Sequence, residues 1–139
     1  MSLETFWHLQ AAMHARLREH AALTALLAAG ADSLYDHVPP ESLFPYIVMG
    51  EMTARPLNTQ TDAAYEVDMT IYAYSRGTGM RELKKVMSAC ADALQNGGIN
   101  VAGHLVVICR EMESDTRLES DGATRRGRMR FRLIVEPTV

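Results

Sequence analysis

The run Tyr65-Glu66-Val67-Asp68-Met69-Thr70-Ile71-Tyr72-Ala73-Tyr74, with the segment that follows it, decides the fold. Tyr65, Val67, Met69, Ile71 and Ala73 alternate with Glu66, Asp68, Thr70, Tyr72 and Tyr74. Successive side chains of a strand point to opposite faces, so this alternation predicts a strand with two different faces. Arg76-Gly77-Thr78-Gly79 breaks it. Met80, Leu83, Val86, Met87, Cys90 and Leu94 then recur at helical spacing, which predicts an amphipathic helix from Thr78 to Asn96. Glu82 lies near its positive end, and Asn96-Gly97-Gly98 supplies a left-handed terminus. A hydrophobic period that switches from about 2 to about 3.6 and back marks a chain of mixed strand and helix.

Upstream, Tyr46 to about Ala54 reads as a strand, and Leu57-Asn58-Thr59-Gln60-Thr61-Asp62 as a polar loop. The two strands around that loop predict an antiparallel hairpin with a connection longer than the tight two-residue type. Before them, Leu34-Tyr35-Asp36-His37-Val38-Pro39 opens as a short strand, followed by Phe44-Pro45-Tyr46-Ile47-Val48-Met49-Gly50-Glu51. Prolines at 39, 40 and 45 fix φ and remove donors, which suits strand edges and turns. Leu3, Phe6, Leu9, Met13 and Leu17 predict a leading helix with Ser2 as its N-cap. A second short helix is expected from Ala21 to Ala29, stopped by Gly30. Downstream, strands are expected from Leu105 to Leu118 and from Thr124 to Glu136, joined through Ser120-Asp121-Gly122. The expected fold is α+β in the order α-α-β-β-α-β-β: a four-stranded antiparallel sheet with helices packed on one face. Residues 1–139 are expected to form a single domain.

Composition narrows the function classes. Hydrophobic residues make up 47% and charged residues 22%, as in ordinary globular proteins. The net charge of −3 argues against general electrostatic binding to nucleic acid. The start of the chain lacks a basic segment leading into a long apolar core, and no apolar run is long enough to span a bilayer. The expectation is a protein kept in the cytoplasm until it joins something larger.

No reactive constellation emerges. The histidines at 8, 14, 20, 37 and 104 form no HxH or HExxH, so no metal site is expected. Cys90 and Cys109 have no CxxC or Cys/His context and read as buried free thiols, a disulfide being left open. Gly77-Thr78-Gly79 superficially resembles a phosphate loop but lacks the Gly-Lys-Ser/Thr of a P-loop, so it reads as a strand-to-helix turn. Glu51, Glu66 and Asp68 are the best carboxylate grouping, yet no nucleophile, histidine base or third ligand joins them. Catalytic residues, metal and cofactor are all expected to be none.

The last strand holds the most unusual charge pattern. Arg126, Arg128, Arg130 and Arg132 share one parity, while Met129, Phe131, Leu133 and Val135 share the other. One reading is an outer strand made soluble by charge. A nucleic-acid groove would want aromatic side chains interleaved on that face, and this strand places none there. The third reading is favoured: the arginine row complements Glu66 and Asp68, either across the sheet or across a subunit boundary. Glu66, Asp68, Arg126, Arg128, Arg130 and Arg132 are therefore the candidate subunit-interface residues.

In their order along the chain, several segments resemble one family. They are Leu34 to Pro39, Phe44-Pro45-Tyr46-Ile47, Gly50-Glu51, the strand from Val67 to Arg76, Ala102-Gly103-His104 and the closing Arg130-Phe131-Arg132. The chain resembles the small tail-completion or tail-terminator proteins of long-tailed bacteriophages and phage-derived gene transfer particles. That resemblance implies a structural virion protein and no enzyme. Such a protein caps the head-proximal end of the tail tube, ends tube polymerisation and forms the surface that joins the head. It implies a ring, a hexamer, with the tail tube protein and a head-completion or connector protein as partners, and no membrane or sequence-specific nucleic-acid binding. The implied location is the virion, with host cytoplasm before assembly. The alternatives are a head-completion or connector (neck) protein on the head side of the junction, or a non-phage cytosolic adaptor.

Overall fold

The alternations and helical spacings above become elements with small shifts at their ends. The computed structural model describes residues 3–57, 64–95, 99–101 and 103–138. In chain order these are α1 (Leu3–Arg18), α2 (Ala21–Thr24), a 3-10 turn (Gly30–Ser33), β1 (Leu34–Tyr35), β2 (Tyr46–Pro56), β3 (Tyr65–Ser75), α3 (Arg81–Leu94), β4 (Ile99–Val101), β5 (His104–Leu118) and β6 (Arg125–Pro137). The expected second helix is shorter than read: α2 stops at Thr24, and Leu27 reaches the core from the turns that follow. The expected caps at Ser2 and Asn96-Gly97-Gly98, and the loop from Asn58 to Asp62, lie outside the described residues.

The expected four-stranded antiparallel sheet is overturned. The sheet has six strands in the order β1-β2-β3-β6-β5-β4, and it is mixed. Two short segments make the difference. β1 lies parallel to β2, with Leu34 beside Ile47 and Tyr35 beside Val48. β4 lies antiparallel to β5, with Ile99 beside Val106 and Val101 beside His104. β2–β3, β3–β6 and β6–β5 are antiparallel. α1 touches both edge strands, β1 and β4, so the sheet curls around the few helices as a half-barrel.

The core lies between the helices and one face of the sheet. β2 supplies Ile47 and Met49, β3 supplies Val67, Met69, Ile71 and Ala73, and β6 supplies Met129, Phe131, Leu133 and Val135, all buried. Leu83, Val86, Cys90 and Leu94 of α3 meet them from above, and Leu9, Met13 and Leu17 extend the core under α1. Full burial of each such side chain stabilises by about 1.5–3 kcal/mol, which is why the apolar parity of each strand is pinned to this side. Gly127 interrupts the arginine strand on the core side. A Cβ there would overlap Met87 Sδ and lie 3.0 Å from its Cγ, so the missing side chain lets α3 sit directly on β6. At the start of α3, Ser75 Oγ donates to Glu82 Oε1 at 2.6 Å and accepts from the Gly77 N–H at 3.2 Å. Gly79, at φ 130, completes this strand-to-helix turn in a conformation few other residues adopt.

Candidate functional site

Helices cover one face of the sheet, and the parity that buries the apolar residues sends the charged ones to the other. Register then decides which charges meet. Across β3 and β6, Asp68 stands opposite Arg132, Thr70 opposite Arg130, Tyr72 opposite Arg128 and Tyr74 opposite Arg126. Across β6 and β5, Arg130 stands opposite Glu113, Arg128 opposite Asp115 and Arg126 opposite Arg117. Opposed side chains of an antiparallel pair are close enough to interact, so the face becomes one ladder running across four strands.

Asp68 is its hub. Arg132 Nε donates to Asp68 Oδ1 at 2.9 Å, Arg55 Nη2 to Asp68 Oδ2 at 3.1 Å, and Arg130 Nη1 lies 3.5 Å from the same carboxylate. Hydrogen bonds from Arg132, with those from Arg55, hold the Asp68 carboxyl below the usual carboxylate range. Glu66 accepts from Arg55 Nε at 2.9 Å and from Arg55 Nη2, and Arg132 Nε lies 3.4 Å away. On the far side, Arg128 Nη1 donates to Glu113 at 3.1 Å and to Asp115 at 3.2 Å, while Arg130 Nη2 lies 3.7 Å from Glu113. Arg126 Nε is 4.0 Å from Glu119, an ion pair without a hydrogen bond.

One end of the face is aromatic. Tyr72 donates to both Glu51 oxygens at 2.9 Å, and the Arg126 guanidinium lies 5.3 Å above the Tyr72 ring. Tyr74 stacks on Tyr46 at 5.2 Å, Phe44 and Tyr35 join them, and Arg76 covers Phe44 at 4.3 Å. Burial raises the Tyr72 and Tyr74 hydroxyls above their ordinary range. The arginine strand itself carries no aromatic residue on this face; the neighbouring strands supply them.

The six candidate residues are thus on one face, and Glu66, Asp68, Arg130 and Arg132 meet within the chain. Arg128 turns instead to β5, and Arg126 lies between the Tyr72 ring and Glu119, just past the end of β5. Sequence reasoning passed over Arg55, Glu113 and Asp115. A signal for the last two was present, because the turn at Ser120-Asp121-Gly122 fixes the hairpin register and places 113 and 115 opposite 130 and 128. Arg55 carried no such signal, since a β2 bulge between Met49 and Met52 reverses the parity that Ile47 and Met49 set for the strand. Of the carboxylates weighed as a chemical grouping, Glu66 and Asp68 are held by guanidinium groups and Glu51 by a phenol. Among the described residues no cluster of three His, Cys, Asp or Glu side chains is placed to hold a metal.

The family model described as "Tail completion protein gp17" matches residues 11–136. The chain belongs to that family. The resemblance carried by the strand openings and the arginine strand is therefore correct at the level of family. As a tail completion protein it is a structural virion component of bacteriophage type. Among solved structures, this tail completion protein is similar to a chain from the virion of a native gene transfer agent (GTA) particle. The two are 27% identical with a TM-score of 0.85, over 97% of this chain and 99% of that one. No curated protein matches it.

Proposed function

We propose that this tail completion protein forms a closed ring, a hexamer, at the head-proximal end of the tail tube. There it ends tube polymerisation and offers the surface that the finished head joins, with the tail tube protein and a head-side connector as partners. The observation that carries this reading is the fit, over nearly the full length of both chains, to a chain of an assembled gene transfer agent virion. A cap on a rotationally symmetric tube has to match its symmetry, and two different patches on one subunit close into a ring when the rotation allows. Glu66, Asp68, Arg126, Arg128, Arg130 and Arg132 act in this reading as the centre of the contact surface. Their partners Arg55, Glu113 and Asp115, with Glu51 and Arg117, stand on the outer strands, where they can also meet a neighbour. The protein works by shape and charge, without catalysis, metal or cofactor.

The test is particle assembly without this chain. Tubes of uncontrolled length with unjoined heads are expected by electron microscopy, and the wild-type chain restores fixed-length, head-joined tails. Normal tails joined to heads in its absence would overturn the reading.

A further inference from the structure

The ladder ends at two strand edges that no strand covers along their full length among the described residues. β1 pairs with β2 only at Ile47 and Val48, and β4 pairs with β5 only as far as Val106. Beyond those points, residues 50–56 of β2 and 107–118 of β5 have no further strand beside them among the described residues. An uncovered edge presents a row of backbone donors and acceptors ready to pair with another chain.

The hydrogen-bond phase of both edges follows from bonds at their ends. The Leu57 N–H donates to the Ala64 carbonyl at 2.9 Å, continuing the β2–β3 register. Bonding positions alternate along an antiparallel pair, so Thr53 and Arg55 turn their backbone toward β3, and Met52 and Ala54 turn theirs outward. Likewise the Glu119 N–H donates to the Thr124 carbonyl at 2.7 Å, so Glu113, Asp115 and Arg117 face β6, and Ser114 and Thr116 face outward. Four strands of alternating direction separate the two edges. A copy rotated about an axis along the strands therefore sets its β2 antiparallel to β5 of its neighbour, with outward backbone groups meeting and the ladder faces continuous.

We propose that residues 113–118 of β5 pair antiparallel with residues 50–55 of β2 from a second copy of this chain, Ser114 opposite Ala54 and Thr116 opposite Met52. This rests on the ring reading above and names the atoms that join its subunits. Charge selects the register. In this one Arg55 faces Glu113 and Glu51 faces Arg117, while Thr53 faces Asp115. A shift of two residues one way sets Glu51 against Asp115, and the other way against Glu119, each a like-charge pair. The ladder stops where both strands stop cooperating: Pro56 has no N–H to give, and it falls opposite the β5 bulge between Glu111 and Glu113. Each subunit uses two different edges, so the contact is head-to-tail and propagates until it closes.

The test is a chain carrying Thr53→Cys and Asp115→Cys, supplied as the only copy in assembling particles. Non-bonded antiparallel pairs stand about 4.5 Å apart at Cα, within disulfide range. The native Cys90 and Cys109 are buried and stay out of the reaction. A non-reducing gel of purified particles is expected to show linked chains rising to one closed species, and either cysteine alone leaves monomers. A second variant, Ser114→Pro, removes only an outward N–H. It is expected to melt within a few degrees of wild type and to leave tails unfinished. Unlinked chains in head-joined particles, or full complementation by Ser114→Pro, would overturn the edge pairing. If omission of the chain is still defective in that case, the cap reading stands and only the pairing falls.

Discussion

Gly127 is where the arginine strand and the core meet, and it gives a test of how α3 holds that strand in place. An added methyl at 127 would overlap Met87 Sδ and stand 3.0 Å from Cγ and 3.2 Å from Cε. Two of those atoms are mid-chain, so Met87 has to change rotamer to clear them. It has room, because an open groove of about 470 Å³ lies between α3 and β5, with Met87 in its wall. The cost of Gly127→Ala therefore falls at the lower end of overpacking, about 1–2 kcal/mol. With unfolding entropy of about 2.1 cal/mol/K per residue, a chain of 139 residues loses about 3–4 °C of midpoint per kcal/mol. Gly127→Ala should lower Tm by about 3–7 °C on this arithmetic. Met87→Ala alone removes that side chain's packing and, because Met87 borders the open groove, costs toward the lower end of about 2–5 kcal/mol. In that background the methyl at 127 enters vacated space, so its own cost should disappear. Urea unfolding of the four proteins measures the coupling, expected to be at least about 1 kcal/mol in favour of the double variant. Additive effects within about 0.5 kcal/mol would show that Met87 does not limit the approach of α3 to β6, and the packing argument would fail.

Two further predictions concern titration and thiol access. Hydrogen bonds from Thr124 Oγ1 and from the Thr124 and Ala123 N–H groups hold Asp121 down to about 2 at the β5–β6 turn, and Arg132 and Arg55 lower Asp68 on the sheet face. A depressed folded-state value contributes stability that is complete above the unfolded carboxylate pKa of about 3.9 and is lost as pH falls through the folded one. Thermal midpoints should therefore fall between about pH 4 and pH 2, less steeply in Asp121→Asn than in wild type; an unchanged slope would remove Asp121 from the acid limb. Burial pushes the Cys109 thiol up to about 12 and raises that of Cys90 as well, so neither should react with an aromatic disulfide reagent at neutral pH until the chain unfolds. Stoichiometric labelling of the folded protein would contradict the core as described.

The long elements were legible because each repeats its period several times. β3 alternates over its whole length, and α3 brings Leu83, Val86, Cys90 and Leu94 round to one side. β4 spans three residues, too short for an alternation to register, and β1, expected as a short strand opening at Leu34 but not counted in the sheet, spans two; together they turn a four-stranded antiparallel expectation into a six-stranded mixed sheet. Their places are set by Leu34, Ile99 and Val101 reaching a core built by other segments. β5 departs from alternation for a related reason. Among the described residues no helix packs closely on its inner face past Cys109, so Glu111, Ser114 and Thr116 line an open groove facing Lys84, Ser88 and Asp92 of α3 instead of entering the core. The charged rows were visible in the sequence, as was their complementarity, but the partner of each arginine depends on register. That register places Glu113 and Asp115 beside Arg128 and Arg130, so the face was legible and its wiring only in part.

The wiring bears on what the ladder is for. Its side chains are only partly shielded, from 15% exposed at Asp68 to 51% at Arg55, Glu113 and Asp115. Ion pairs this open to water contribute little each to stability, about 0–1 kcal/mol. Holding the fold together is thus a weak account of so many charges on one face, when the apolar face already supplies a continuous core. Position is a better one. The guanidinium groups of Arg55, Arg128, Arg130 and Arg132 are planar and each lies against more than one carboxylate oxygen, so their conformational freedom is already spent before any partner arrives. A neighbour meeting such a face orders fewer side chains on binding, and that ordering is one of the main costs of association. Arg55, with Glu66 and Asp68 behind it, and Glu113, with Arg128 and Arg130 behind it, are the groups so fixed at the two open edges. The ladder therefore does its work at its ends, by presenting opposite charges in set positions on the two strands that remain free to pair.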